Sequence, residues 1–301
     1  MANSSLQIQG QIIAAFGRQY LARLEDGSEL ACLTRGKKSE VVCGDRVEIK
    51  LTGEASTENG TGAQGVIERI APRRSLLHRS DAFREKLIAA NVTQIIVVVA
   101  AEPSFSDELL ARCLVAAYDQ KLDVLIVLNK CDLAEAAAAA RKRLIPYTAI
   151  GYRVLELSAK QDVAQLRPFL AGHTSVLVGQ SGMGKSTLIN ALLPDAQAAT
   201  REISSALDSG KHTTTHARLY RLDETSSLID CPGVQAFGLH HLSFGGIEQG
   251  FVEFAQYLGK CRFRDCHHVH EPGCALREAV AAGKIDARRL DLFQQIAANK
   301  A

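Results

Sequence analysis

The sequence lacks several features that would assign it to a function class at once. It has no run of about 18 apolar residues, the length that a membrane-spanning helix needs. Residues 1–5 lack the basic region and apolar core that begin a secretory signal peptide. The formal charge of +2 is nearly neutral, so any nucleic-acid surface must come from local clusters of Lys and Arg. We therefore expect a soluble, cytoplasmic protein that is not exported and has no membrane partner.

Length and cysteine usage limit the architecture. The chain has 301 residues, 47% of them hydrophobic, which exceeds the ~100–200 residues usual for one domain and predicts two or three domains. Eight cysteines in a cytosolic chain argue against a disulfide framework and favour a metal site if some of them cluster.

The stretch from Gly179 to Ser186 fits the phosphate-binding pattern G-x-x-x-x-G-K-[ST] at every fixed position. A β-branched run precedes it, and an apolar helix is predicted to follow over residues 187–193. Glycines let backbone N–H groups converge on phosphate oxygens, Lys185 adds a positive charge, and Ser186 offers a hydroxyl to Mg²⁺. The pattern predicts a nucleoside triphosphate site; the alternative is a Gly-rich turn with a chance lysine. The predicted nucleotide-binding residues here are Gly179, Gln180, Ser181, Gly182, Met183, Gly184, Lys185, Ser186 and Thr187.

Residues 1–72 show the pattern of a small β-barrel. Five strands are predicted over residues 7–15, 20–24, 30–34, 45–51 and 65–70. A five-stranded barrel of this size matches the oligonucleotide/oligosaccharide-binding (OB) fold, which often binds RNA. An SH3-like barrel or a purely structural cap would give the same pattern. Basic side chains crowd residues 73–88, which predicts a basic linker that contacts RNA phosphates or is simply solvated.

Residues 89–240 alternate apolar strands with amphipathic helices, the pattern of a parallel α/β sheet with crossover helices. A helix is predicted over residues 107–120 with Ser106 as its N-cap. The predicted strand over residues 123–128 ends at an N-K-x-D tetrapeptide formed by Asn129, Lys130 and Asp132.

The N-K-x-D tetrapeptide predicts guanine recognition. The carboxylate of Asp132 can accept two N–H bonds from guanine N1 and its exocyclic N2, a donor pair that adenine lacks. A further predicted strand, over residues 153–157, leads into Ser158, Ala159 and Lys160, whose backbone can donate to guanine O6. Beside a phosphate loop these residues predict selectivity for GTP over ATP, the alternative being a polar turn that ends a strand.

These motifs resemble the signature elements of translation-factor-class GTPases in a rotated order. The guanine-binding loops come first, then the phosphate loop, then an Asp-x-Pro-Gly loop from Asp230 to Gly233. The resemblance implies a circularly permuted GTPase domain, which remains foldable because the original ends lie close together. The loop that senses the γ-phosphate then runs directly into the C-terminal region.

Residues 241–301 are predicted to form a helical zinc-binding module. Cys261, Cys266, His268 and Cys274 have a spacing suited to one tetrahedral Zn²⁺ per chain. His267 and His270 are competing donors, and ordinary reduced cysteines are the alternative. Basic residues surround the cluster, which favours an RNA contact, and helices are predicted over residues 247–258, 275–282 and 286–298.

Barrel, permuted GTPase and Cys₃His module together resemble the RsgA/YjeQ family of bacterial GTPases that depend on the small ribosomal subunit, over nearly the whole chain. The resemblance implies binding to the 30S subunit and its 16S rRNA late in assembly, GTP hydrolysis stimulated by that subunit, and later release. We expect a monomer. The alternative function is a GTP-gated RNA-binding assembly chaperone whose hydrolysis is incidental.

The catalytic water needs an orienting group. Ras-like GTPases place a glutamine after the Asp-x-x-Gly element, whereas Val234 follows it here. Residues 210–215 fit the family's first switch, with Lys211 where arginine is more common, and His212 is our candidate for the orienting group. His216, a group supplied by the ribosome, or a packing role for His212 are the alternatives. One switch threonine, Thr213 or Thr214, is expected to meet Mg²⁺ together with Ser186.

Overall fold

The computed structural model describes residues 7–35, 40–52, 65–81, 84–194, 217–231 and 237–299. Its N-terminal part is a five-stranded barrel built from β1 (Gln7–Phe16), β2 (Gln19–Leu24), β3 (Glu29–Thr34), β4 (Arg46–Leu51) and β5 (Gly65–Ile70). The strand order is β1-β2-β3-β5-β4, and β4 pairs back with β1 to close the barrel. Alternate side chains point inward and form a separate apolar core around Ile12, Tyr20 and Ile49. The predicted barrel is confirmed.

A β-hairpin follows the barrel. Strands β6 (Leu76–Asp81) and β7 (Arg84–Ala90) pair antiparallel as a sheet of their own. The structure thus places two strands where the sequence predicted a basic linker over residues 73–88. Leu77 is buried, at 1% exposure, and is the apolar residue that indicates a strand here. The charged residues around it made the segment look like a linker in the sequence.

The α/β part is a six-stranded sheet. Its strands are β8 (Gln94–Ala100), β9 (Asp123–Asn129), β10 (Arg153–Glu156), β11 (Thr174–Val178), β12 (Arg218–Arg221) and β13 (Ser227–Asp230). They lie in the order β10-β9-β8-β11-β13-β12, parallel except for the edge strand β12. All seven residues of β8 are buried, as expected for a central strand covered on both faces. The barrel joins this sheet where β1 pairs antiparallel with β12, with Ala14 opposite Arg218.

Helices cover the sheet. They are α1 (Asp107–Asp119), α2 (Ala134–Ala149), a 3₁₀ turn (Ala164–Leu166) that leads into α3 (Arg167–Leu170), and α4 (Lys185–Leu192). The predicted N-cap of α1 is confirmed, since Ser106 Oγ accepts the Leu109 N–H at 3.3 Å. Helix α4 begins directly at the lysine of the phosphate motif.

The C-terminal region contains α5 (Phe244–Gln249), a 3₁₀ turn (Val252–Phe254), α6 (Ala275–Ala281) and α7 (Ala287–Ala298). The prediction of one helix over residues 247–258 is wrong. Helix α5 starts earlier, capped by Ser243, and the chain turns at Gly250, which lies so close to Val115 of α1 that a Cβ would come within 2.8 Å of it. Among the described residues, no helix has the length and apolar character needed to cross a membrane.

Candidate functional site: a nucleotide cavity and a Cys₃His cluster

The phosphate loop connects β11 to α4. Its last glycine, Gly184, has φ 90° and caps α4. Any Cβ at this position would lie 2.3 Å from Asn129 Nδ2, so only glycine fits. The first turn of α4 presents its backbone N–H groups to the adjoining cavity, as phosphate binding requires. Lys185 Nζ donates to the carbonyl oxygens of Gly179 at 2.5 Å and Gln180 at 2.9 Å.

Two opposite charges lie beside this loop. Asp230 ends β13, which runs parallel to β11, so both loops leave the same edge of the sheet. Burial raises the pKa of Asp230, and the ammonium group of Lys185 opposes that shift. Burial likewise lowers the pKa of Lys185, opposed by the Asp230 carboxylate. The arrangement supplies a cation for phosphate oxygens and a carboxylate for a phosphate-bound metal.

Asn129 joins three loops around the cavity. Its side chain is 1% exposed, and its Nδ2 donates to the Met183 carbonyl of the phosphate loop at 2.9 Å. Its Oδ1 accepts the backbone N–H of Lys130 at 2.8 Å and of Ala159 at 2.9 Å. The first residue of N-K-x-D therefore fixes the spacing between the phosphate loop and both predicted guanine loops.

Asp132 faces the same cavity. Its Oδ1 accepts a hydrogen bond from Ser158 Oγ at 2.6 Å, and this bond lowers the pKa of Asp132. The carboxylate therefore remains ionised and acceptor-only at neutral pH, which is the state that pairs with two N–H donors. The contact brings the N-K-x-D and S-A-K motifs together as the sequence predicted.

Most of the predicted nucleotide-binding residues line one cavity of about 690 Å³, a volume suited to a small ligand, whereas Gly179 and Gln180 are not part of its lining. Its lining includes Asn129, Lys130, Asp132, Ser158, Ala159, Lys160, Ser181, Gly182, Gly184, Lys185, Ser186, Thr187 and Asp230. Met183 instead is buried at 1% exposure. His212, Thr213, Thr214 and Gly233 lie outside the described residues, as do Lys211, His216 and Val234.

Sequence reasoning missed the segment between β8 and α1. Gln180 Oε1 accepts the Ser106 N–H at 2.6 Å, so this phosphate-loop side chain points toward the start of α1. Lys130 Nζ donates to the Glu102 carbonyl at 2.6 Å. Leu133, 38% exposed, also lines the cavity. Leu133 could have been predicted as a cavity residue because it directly follows N-K-x-D. The contacts of Gln180 with Ser106 and of Lys130 with Glu102 could not, because their partners are distant in the sequence.

The C-terminal cysteines and one histidine form a cluster. Donor atoms of Cys261, Cys266, His268 and Cys274 all lie within 4.8 Å of one another. His268 Nδ1 is 3.5 Å from Cys261 Sγ and 3.2 Å from Cys274 Sγ, and these two sulfurs are 4.0 Å apart. Tetrahedral zinc with Zn–S bonds of about 2.3 Å would separate its donors by about 3.5–3.8 Å. The donor set and its spacing fit a single metal ion.

The structure resolves the choice among the three histidines. His268 is 4% exposed and points into the cluster, while His267 and His270 are exposed. His268 has φ 61°, in the left-handed region, and this local turn directs its side chain inward. The sequence spacing left the ligand open because neighbouring histidines differ only in their backbone conformation.

Glu271 organises this turn, which sequence reasoning missed. Its carboxylate accepts the backbone N–H groups of His267 at 2.8 Å, Val269 at 2.9 Å and His270 at 3.0 Å. These three bonds lower the pKa of Glu271 to about 2, so the carboxylate is ionised at neutral pH. The acceptor therefore satisfies donors that a tight loop would otherwise leave without protein partners.

A family profile described as RsgA GTPase matches residues 70–240. A relative in Nitrosospira multiformis, named small ribosomal subunit biogenesis GTPase RsgA, is 54% identical over 296 residues, covering 98% of this chain and 92% of the relative. A protein of the same name in Burkholderia pseudomallei is 53% identical over 300 residues, with coverage of 98% and 93%.

Solved structures agree with these relatives. The crystal structure of YjeQ from Thermotoga maritima is similar, with a TM-score of 0.73 at 28% identity, covering 98% of this chain and 99% of that one. A structure of YloQ, described as a circularly permuted GTPase, has a TM-score of 0.70 at 25% identity, with coverage of 100% and 97%. The similarity therefore extends over barrel, α/β sheet and C-terminal region together.

Proposed function

As this chain belongs to the RsgA family of circularly permuted GTPases, we propose that it binds the 30S ribosomal subunit late in its assembly and times its own release by GTP hydrolysis. The observation that supports this most directly is the shared cavity of phosphate loop, N-K-x-D and S-A-K residues. Relatives that are identical at more than half of the aligned positions are named as small ribosomal subunit biogenesis GTPases. The chain is a GTP hydrolase. We propose further that it acts on the ribosomal subunit in the cytoplasm and as a monomer.

Different residues of the site bind the base and the phosphates of GTP. Asp132 accepts the two N–H groups of guanine, and the backbone of residues 158–160 donates to guanine O6. Lys185 neutralises the outer phosphates, while the N–H groups at the start of α4 bind phosphate oxygens. Gly233 lies in the loop that senses the γ-phosphate.

Ser186, Asp230 and a switch threonine, Thr213 or Thr214, would hold Mg²⁺. Bound Mg²⁺ neutralises charge that develops on the phosphates during transfer. His212 orients the attacking water, because Val234 cannot do so and a neutral imidazole can accept a proton from water. We expect free protein to hydrolyse GTP slowly and the 30S subunit to stimulate hydrolysis by placing His212 beside the attacking water.

The Cys₃His cluster would hold Zn²⁺ and stabilise the C-terminal module, which contacts rRNA through its basic side chains. The barrel supplies a second RNA surface. Zinc analysis of the native protein should give one ion per chain, and Cys266→Ala should lose that ion while retaining GDP binding. Absence of zinc from native protein, or a full complement in the variant, would contradict the assignment.

Multiple-turnover GTP hydrolysis with and without purified 30S subunits tests the proposed function. We expect the 30S subunit to raise turnover strongly and the protein to leave the subunit after hydrolysis. Buffer-matched 50S subunits serve as the control. Tight 30S binding without stimulated turnover would instead identify a GTP-gated RNA chaperone, and no 30S binding would refute both functions.

A further inference from the structure

Glu248, on α5, contacts the imidazole of His268 from the side opposite the cysteines. The distance from His268 Nε2 to Glu248 Oε1 is 2.6 Å. A carboxylate at neutral pH only accepts hydrogen bonds, so Nε2 must carry the proton and donate it. The lone pair then resides on Nδ1, the nitrogen that lies 3.2 Å from Cys274 Sγ.

This contact is shielded from water. The side chains of His268 and Glu248 are 5% and 17% exposed. A buried, short, charge-assisted hydrogen bond is stronger than an exposed one and orients the ring. The backbone of His268 is held as well, because Gln294 Nε2 of α7 donates to its carbonyl oxygen. The ring has therefore one orientation, with Nδ1 toward the sulfurs.

We propose that Glu248 is a positioning residue for the metal site, holding His268 in the tautomer and orientation that bind the ion through Nδ1. The inference rests on the proposed zinc occupancy of the cluster. Acidic partners of histidine ligands raise ligand basicity, and their loss typically weakens metal affinity 10- to 100-fold.

The position of Glu248 in the fold gives the contact a second consequence. Helix α5 follows the Asp230 strand in the chain and packs against α1 of the GTPase domain. At its end, Gly250 touches Val115 of α1. Glu248 therefore connects the metal cluster to a helix that packs on the nucleotide-binding domain. Metal binding then stabilises the packing of α5 against α1.

The test measures zinc affinity of the full-length protein by competition with a chromogenic chelator. Glu248→Leu removes the acceptor and should weaken zinc binding at least 10-fold. Glu248→Gln keeps a carbonyl acceptor of the same size and should lose less. Glu278→Gln, the same change at an exposed site on α6, is the matched control and should bind zinc like the parent.

Two further measurements separate positioning from general destabilisation. Cobalt-loaded Glu248→Leu should show altered d–d absorption bands, because the histidine ligand is reoriented, whereas GDP binding should match the parent. Hydrogen exchange over residues 244–249 should rise in the same variant. If Glu248→Leu folds poorly, Glu248→Gln carries the comparison.

The outcomes are distinguishable. Parent protein that binds no zinc refutes the zinc assignment and this inference with it, while leaving the nucleotide site untouched. Parent protein that binds zinc with the same affinity and cobalt spectrum as both Glu248 variants overturns the positioning role alone.

Discussion

We propose that Asp132 determines which base the cavity accepts, through the direction of two hydrogen bonds. Asp132→Asn replaces one acceptor by a donor, which suits the additional oxygen of xanthine. We expect weaker binding of GDP and GTP, because charge-assisted hydrogen bonds to guanine are lost, and tighter binding of xanthosine nucleotides. Titrations with fluorescent guanosine and xanthosine nucleotides measure both affinities. Unchanged GTP affinity in the variant would refute the role of Asp132.

His212 is the residue on which the stimulated rate is predicted to depend. His212→Ala should retain GTP and 30S binding and lose about 10²-fold or more of the 30S-stimulated rate, because the water is no longer oriented. His216→Ala removes the alternative histidine in the same segment and should keep the stimulated rate. A stimulated rate equal to that of the parent would shift the role to a group supplied by the ribosome.

Individual residues differ in how well the sequence predicted them. Asn129, Asp132 and Lys185 were predictable because their chemistry requires fixed spacing within short motifs. Glu248 was not, since its partner His268 lies 20 residues away and only the folded chain brings them together. Hydrogen bonds between distant side chains leave no spacing signal in a single sequence.

The three helices α1, α2 and α7 meet at one carboxylate. Asp107 of α1 is 5% exposed and accepts from Arg143 Nη2 of α2 at 2.8 Å and from Arg288 of α7. Burial lowers the pKa of Arg143. Asp107 thus attaches the C-terminal helix to the GTPase domain.

Asp107→Asn should therefore reduce the free energy of unfolding by about 1–2 kcal/mol, because it weakens the charge-assisted hydrogen bonds from the half-buried Arg143 and the exposed Arg288. Chemical denaturation and hydrogen exchange in α7 measure the effect. Glu108→Gln changes the neighbouring residue, which pairs with Arg112 one turn later, and should cost only about 0.3–0.5 kcal/mol. Equal stability of the two variants would contradict the prediction.

Elements were predictable where periodicity and length agreed. Strands β8 and β9 are long apolar runs, and α1 has an N-cap and an apolar face, so each was predicted closely. The helix expected over residues 247–258 was wrong because tertiary packing determines the backbone conformation in this segment. Phe251 and Phe254 are fully buried and their rings stack at 5.2 Å, which ends α5 early. Intrinsic propensity cannot anticipate such packing.

At the scale of the whole molecule, a buried ion pair anchors the chain where it leaves the barrel. Asp45 is fully buried and accepts from Arg73 Nε at 2.7 Å and Nη2 at 2.8 Å. These hydrogen bonds to Asp45 raise the pKa of Arg73. Arg73 also donates to the Glu40 carbonyl at 2.6 Å, so one guanidinium binds two points of the segment that leads into β4.

Arg73→Met should lower the free energy of unfolding by about 3 kcal/mol, because it leaves the buried carboxylate of Asp45 without its cationic partner. Arg69→Met is the control: Arg69 is 72% exposed and 4.0 Å from Glu48, so its loss should cost less than about 1 kcal/mol. Denaturation curves monitored separately for barrel and GTPase domain locate the loss. A similar small effect in both variants would contradict the anchoring role.

The order of parts was predictable from motifs, whereas their attachment was not. Rotated motif order indicated the permutation, and strand spacing indicated the barrel. The pairing of Ala14 with Arg218 joins segments that share no periodicity or motif, so only the fold reveals it.

The permuted order also determines how the sheet grows during vectorial synthesis. Strands β8, β9 and β10 are neighbours in the sheet and consecutive in the chain, so the base-recognising half is complete by residue 160. Until β11 emerges, beginning at Thr174, the free side of β8 is an unpaired edge of Ile and Val residues, the kind of edge that recruits other chains. At a translation rate of roughly 5–20 residues per second, synthesis from the end of β8 at Ala100 to the start of β11 at Thr174 takes about 4–15 s. The permuted order thus leaves this edge of β8 without its β11 partner for several seconds of synthesis.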